Sequence, residues 1–127
     1  MSCQVITKEK AGVLYISLEG ELIINYITYV YEQIYPQILQ YNKVAVDLAA
    51  VTDFDTSGLQ LLLCCKKQAK AKKGKLVLQN HSYAVLQVID LFGMLGILGD
   101  KITLSPAERE QYEFRYGTKK VPAFLQL

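Results

Sequence analysis

The chain has 127 residues, 51% of them hydrophobic and 20% charged. That is the length of one ordinary domain with enough apolar material for a core, which excludes a disordered chain and leaves no room for two domains. Net charge is +2, but residues 66–75 (KKQAKAKKGK) hold six lysines and no acid, while the other 117 residues carry eight Lys and Arg against twelve acids.

Val13 to Leu18 (VLYISL) alternates weakly and predicts a strand, with Gln4 to Thr7 pairing beside it across the polar turn KEKAG. From Leu22 to Leu39, apolar residues at Ile27, Val30, Ile34 and Ile38 recur at spacings of three and four, which predicts a helix that Pro36 kinks or ends. Lys43 to Leu48 (KVAVDL) predicts a buried strand. Leu59 to Ala71 predicts a helix, apolar early and lysine-rich late, with Gly74 at its C-terminal cap. Lysines in a last turn suit the negative end of the helix dipole. Lys75 to Leu78 predicts the next strand, and Ser82 caps a third helix with a stripe at Val85, Val88, Ile89 and Phe92 closed by Gly93. Lys101 to Leu104 predicts a last strand, and Ser105 and Pro106 open a fourth helix over AEREQYEFRY. Alternating strand and helix implies right-handed crossovers and parallel strands, hence one α/β domain.

One loop stands out. The strand KVAVDL runs through AAVTDFDTSG into the helix LQLLLCC, which places Asp53, Asp55, Thr56, Ser57 and Gly58 at the C-terminal end of a parallel strand. Ligand and contact sites of open α/β sheets gather at that edge. Thr56 and Ser57 stand where the first amides of a helix lack partners and the dipole is positive, so a phosphate on either hydroxyl is stabilised there. Asp53 and Asp55 would repel such a phosphate, which makes the two states differ sharply in charge, by about −2. Gly58 lets a partner's backbone come close. The plainer reading is that Asp55, Thr56 or Ser57 simply caps the helix; on spacing alone, capping is favoured.

The stretch VAVDLAAVTDFDTSGLQLLLCCKKQAKAKKGKLVLQNHSYAVLQVIDLFGMLGIL resembles the STAS domain family, which includes bacterial anti-sigma factor antagonists and the cytosolic domains of sulfate transporters. The similarity covers roughly residues 11–104 and is most specific at Asp55 to Leu59, after a strand ending Val-Asp-Leu. The resemblance implies a mixed, mostly parallel sheet of about five strands packed with about four helices. The core spans roughly residues 4–104, and 105–127 form a helical extension. It also implies a non-enzymatic antagonist that binds a partner acting as both kinase and anti-sigma factor, is released when that kinase phosphorylates it, and is restored by a phosphatase. Ser57 aligns with the phosphorylated serine and Thr56 is the fallback acceptor; Asp53, Asp55, Thr56, Ser57, Gly58 and Leu59 make the partner contact. The region GELIINYITYVYEQI departs from the pattern, being rich in Tyr and Ile where small polar residues are usual. An alternative is therefore an accessory subunit of an ABC-type phospholipid transporter, docking on an ATPase subunit through Thr56 and the following helix.

Other features carry plainer roles. The longest apolar run, Leu61 to Cys65, has five residues, against the about 18 of a membrane span, and MSCQVITKEK lacks a secretory apolar stretch. A cytoplasmic protein without membrane insertion is expected. Cys3, Cys64 and Cys65 are odd in number and two are adjacent, which argues against disulfides and zinc and for space-filling in a core. Tyr31 and Tyr35 share a helix face. His81, the one histidine, flanks the third helix, and no cofactor or metal is implied. The lysine block reads as a solvated helix end rather than a nucleic-acid or lipid surface. A third possibility is an enzyme using Cys64, Cys65 or the two aspartates. The chain is expected to be a monomer or weak dimer.

Overall fold

The computed structural model describes residues 2–94. Five strands and three helices follow one another as β1 (Cys3–Lys10), β2 (Val13–Leu22), α1 (Ile27–Gln40), β3 (Lys43–Asp47), β4 (Val51–Phe54), α2 (Thr56–Ala71), β5 (Lys75–Gln79) and α3 (Tyr83–Leu91). The sheet runs β1-β2-β3-β5, with β4 pairing β2 beyond the end of β3. β1 is antiparallel to β2; every other pairing is parallel. The expected α/β fold with a mostly parallel five-stranded sheet is therefore present.

Alternation explains which face is filled. Leu14, Ile16 and Leu18 of β2, Val44 and Val46 of β3, and Leu76 and Leu78 of β5 all sit in the core, with exposures of 5% or less. Period-two strands place these residues on one side of the sheet. The helices bring Val30, Ile34 and Ile38 from α1, Leu61, Leu62 and Cys65 from α2, and Val85, Leu86 and Ile89 from α3 into the same cluster. Each α1 position anticipated from the three-four spacing, apart from Ile27, is fully buried; Ile27 packs at the edge.

Several boundaries differ from expectation. The helix expected from Leu22 starts at Ile27, because Leu22 completes β2 and Ile23–Tyr26 form a turn closed by the Tyr26 amide donating to Ile23 O at 2.9 Å. Pro36 lies inside α1 on an exposed position without ending it. The segment VTDF, expected as loop, is β4, and it supplies the fifth strand. The expected strand Lys101–Leu104 and the helix after Ser105 lie outside the described residues, as does the extension 105–127. Phe92, placed on the buried stripe of α3, is 52% exposed, because it falls past the helical end as the C-terminal cap. Gly74 follows α2 as anticipated, but the left-handed residue is Lys73 (φ 61). Gly74 instead permits contact, since a Cβ there would stand 2.7 Å from Asn42 O.

The lysine block is not a uniform solvated end. Lys66 is 9% exposed and its Nζ donates to Leu76 O at 3.1 Å. Lys72 Nζ donates to the carbonyls of Ile38, Leu39 and Tyr41 at 3.0, 2.6 and 3.0 Å. Lys67, Lys70, Lys73 and Lys75 are exposed.

Candidate functional site

The site is assembled where three chain segments meet. β2 passes through Gly20 at φ +108, where a Cβ would collide with the Ser2 carbonyl, and a register shift between Gly20 and Glu21 lets β4 pair alongside. β4 then delivers Asp55, in extended conformation, to the start of α2. The Ile23–Tyr26 turn lies against this junction.

Asp55 is the N-terminal cap of α2. Its Oδ1 accepts from the Ser57 amide at 2.9 Å, the Gly58 amide at 3.1 Å and the Ser57 hydroxyl. Its Oδ2 accepts from the Ile24 amide at 3.0 Å, across 31 residues. Two orphan donors of the helix start are satisfied this way. Burial pushes the Asp55 carboxyl up. The Ser57 hydroxyl, followed by the Ile24, Gly58 and Ser57 amides, outweighs it and holds the group below its ordinary value. The capping reading and the site reading thus meet in one carboxylate.

The remaining candidates sort by exposure. Thr56 is exposed at the first position of α2, and Ser57 is half-buried. Asp53 is exposed on β4, opposite Glu21 in the sheet register. Gly58 and Leu59, expected among the contact residues, face inward. A Cβ on Gly58 would stand 2.6 Å from Leu22 O and 2.7 Å from the Phe54 ring, and Leu59 is 5% exposed in the core. The close approach that Gly58 permits is internal. Both residues fix where Thr56 and Ser57 stand.

Next to this junction, β4 and α3 border an open groove of about 430 Å³ lined in part by Thr52, Asp53, Phe54, Tyr83, Gln87 and Val88. Ser82 caps α3 as anticipated, its hydroxyl accepting from the Val85 amide at 3.3 Å. The thiols lie elsewhere. Cys65 is buried and its pKa is pushed up to about 12 by that burial and, secondarily, by Cys64. Cys3 is also buried, whereas Cys64 is half-buried, so it fills the core less completely than expected. Tyr31 and Tyr35 do share a face: their rings stack with centroids 4.9 Å apart and planes 21° from parallel. Among the described residues, no group of three His, Cys, Asp or Glu side chains is placed to hold a metal, and no helix is long and apolar enough to cross a membrane.

Sequence reasoning did not identify the Ile24 amide as part of the junction. No side-chain signal marks it, since the contact is made by backbone.

Comparison with known proteins bears on the whole arrangement. No curated protein sequence matches the chain. Among solved structures, it is similar to a protein of Thermotoga maritima described as a putative anti-sigma factor antagonist, with 21% identity, a TM-score of 0.70, and coverage of 84% of this chain and 92% of that one. It is similar to an anti-sigma factor antagonist from Mycobacterium paratuberculosis, with 21% identity, a TM-score of 0.69, and coverage of 86% and 93%. The phosphorylated form of the Bacillus cell fate determinant SpoIIAA shares 20% identity, with a TM-score of 0.59 and coverage of 87% and 97%. At these identities the likeness establishes the fold. The STAS domain model matches residues 4–110, and on that match, over a fold of the same kind, the chain belongs to the STAS domain family.

Proposed function

We propose that this chain is a non-enzymatic regulatory module of the anti-sigma factor antagonist kind, switched by phosphorylation of Ser57. In this reading the partner is an anti-sigma factor that is also the kinase, a phosphatase reverses the modification, and all three act in the cytoplasm. The observation that carries it is the placing of the Ser57 hydroxyl: half-buried at the N-terminus of α2, and held by Asp55 at an edge where the sheet presents its loops. Phosphoryl transfer from ATP would break the Oγ–H bond, form an Oγ–P bond, release the proton and leave ADP. The surface would gain about two negative charges at one point, beside Asp53 and Asp55. A partner surface fitted to the neutral hydroxyl would then meet repulsion and an unmatched desolvation cost. That one solved antagonist is known in phosphorylated form supports this reading.

The test is incubation with the cognate kinase and ATP, followed by mapping of the modified residue. Phosphate on Ser57, or on Thr56 in a Ser57→Ala variant, is the expected result; modification of neither overturns the reading. Ser57→Asp is expected to weaken partner binding by calorimetry, and unchanged affinity contradicts it.

One observation favours a second reading. Thr56 is the more exposed of the two hydroxyls, and it opens α2. That suits an accessory subunit docking on the ATPase subunit of an ABC-type phospholipid transporter through Thr56 and the outer face of α2. Co-purification with transporter subunits, lost in Thr56→Glu and kept in Ser57→Ala, is the outcome that selects it.

A further inference from the structure

Asp55 joins two parts of the surface that are 31 residues apart. Oδ1 is committed to the start of α2 and to the Ser57 hydroxyl; Oδ2 is committed to the Ile24 amide. A carboxylate is a rigid planar unit, so one oxygen cannot leave its partners while the other stays in register. Ile24 lies in the Ile23–Tyr26 turn, and its side chain is 68% exposed. The next amide of that turn to be tied is Tyr26, to Ile23 O.

The Ser57 hydroxyl reaches Asp55 only as a donor. An anionic group at that position has no proton to donate, and it would stand within bonding distance of a carboxylate held ionised by its amide partners. Like charges so close repel strongly. The Ser57 and Gly58 amides, which donate to Asp55 Oδ1 in the unmodified chain, can take the new anion as acceptor instead, because a phosphate is a good acceptor at a helix N-terminus. Asp55 is then the group that moves, and the Ile24 amide loses its acceptor.

We infer that Asp55 is a relay, so that negative charge on the Ser57 side chain releases the Ile23–Tyr26 turn and extends the switched surface from the α2 start to the β2–α1 connection. This deepens the phosphorylation reading and rests on it for its biological trigger. The relay itself is a property of the folded chain and needs no kinase, so the two fail separately.

The experiment is amide hydrogen exchange followed by nuclear magnetic resonance on the full chain, in wild type, Ser57→Asp, Ser57→Ala and Asp55→Asn. Ile24 exchange is expected to accelerate about tenfold in Ser57→Asp, as follows from losing a hydrogen bond to a charged acceptor. It is expected to change less than about twofold in Ser57→Ala, which removes the hydroxyl and adds no charge, on the same basis. Asp55→Asn should match Ser57→Asp at Ile24. The amides of Val44 and Val46 in β3 report the fold and should be unaffected. If Ser57→Asp does not hold that β3 protection, Ser57→Glu replaces it in the same comparison. Unchanged Ile24 exchange under added charge overturns the relay, as does equal acceleration in Ser57→Ala.

Discussion

Asp55 does three jobs with two oxygens, and its removal should register in stability. It caps α2, holds the Ser57 hydroxyl and fastens the Ile24 amide. Loss of a capping side chain costs about 0.5–2 kcal/mol, and the Ile24 contact places Asp55→Ala at the upper end of that range in urea unfolding at neutral pH. The pH dependence has a definite sign. The folded carboxyl titrates below its ordinary value of 3.8, so its contribution is complete above the unfolded value of about 4 and is lost as pH falls through the folded one. The stability gap between wild type and Asp55→Asn is therefore expected to close on acidification below about pH 4, and a gap constant with pH would refute this account. Gly58 offers the second test at this junction. An added methyl would be driven into Leu22 O and the Phe54 ring, and overpacking of that kind costs about 1–3 kcal/mol. Gly58→Ala should lower the melting temperature although alanine is the better helix former. The motif Asp-Thr-Ser-Gly announced a helix start and a hydroxyl from sequence alone. It could not tell that its glycine and leucine face inward, because that depends on Leu22 and Phe54 arriving from other elements.

Helix ends show what local patterning captures and what it misses. Ser82 and Asp55 cap their helices with side chains two or three residues from the amides they serve, so both positions were readable as caps. The C-terminus of α1 has no such local device: its last turn holds no basic residue. Its terminal carbonyls would face a shortage of donors, and Lys72 supplies the missing one from the end of α2, bonding three of them. The ammonium also complements the negative end of the α1 dipole. A run of six lysines reads as a single solvated block, since sequence cannot single out the one that reaches a neighbouring helix 31 to 34 residues away. Lys72→Met should cost about 1–2 kcal/mol in urea unfolding, because three hydrogen bonds from a charged donor to part-buried and exposed carbonyls are lost. Lys67→Ala, at an exposed position of the same block, should stay within about 0.5 kcal/mol. Equal effects at the two sites would return the block to a merely solvated role.

β2 is the strand on which the architecture depends. It pairs with β1 from Val13 to Gly20, with β3 from Val13 to Ser17, and with β4 from Gly20 to Leu22. Its first half was evident from alternation, and so were β3 and β5 as valine- and leucine-rich runs. Its second half was not, since Glu19, Gly20 and Glu21 interrupt the apolar pattern. β4 escaped notice for a related reason: Thr52 and Asp53 are both exposed between buried Val51 and Phe54, which breaks period two, and only pairing with β2 defines it as a strand. That dependence predicts how the chain unfolds. Leu18 sits at the centre, fully buried and opposite Val5 of β1, just before the point where the β3 and β4 pairings change over. Truncating it should cost about 2–5 kcal/mol through lost contacts and a cavity, a large share of the about 5–15 kcal/mol that holds a domain together. Because, among the described residues, every parallel pair but one includes β2, the loss should be shared by the described strands rather than confined to one. In Leu18→Ala, far-ultraviolet dichroism and tyrosine fluorescence are expected to report one coincident transition at lower urea. Ile24→Ser, changed at an exposed residue of the Ile23–Tyr26 turn, should leave the stability within about 0.5 kcal/mol of wild type. Separate transitions for the two probes in Leu18→Ala would mean that β1 or β4 can detach alone, and that β2 does not unite the sheet.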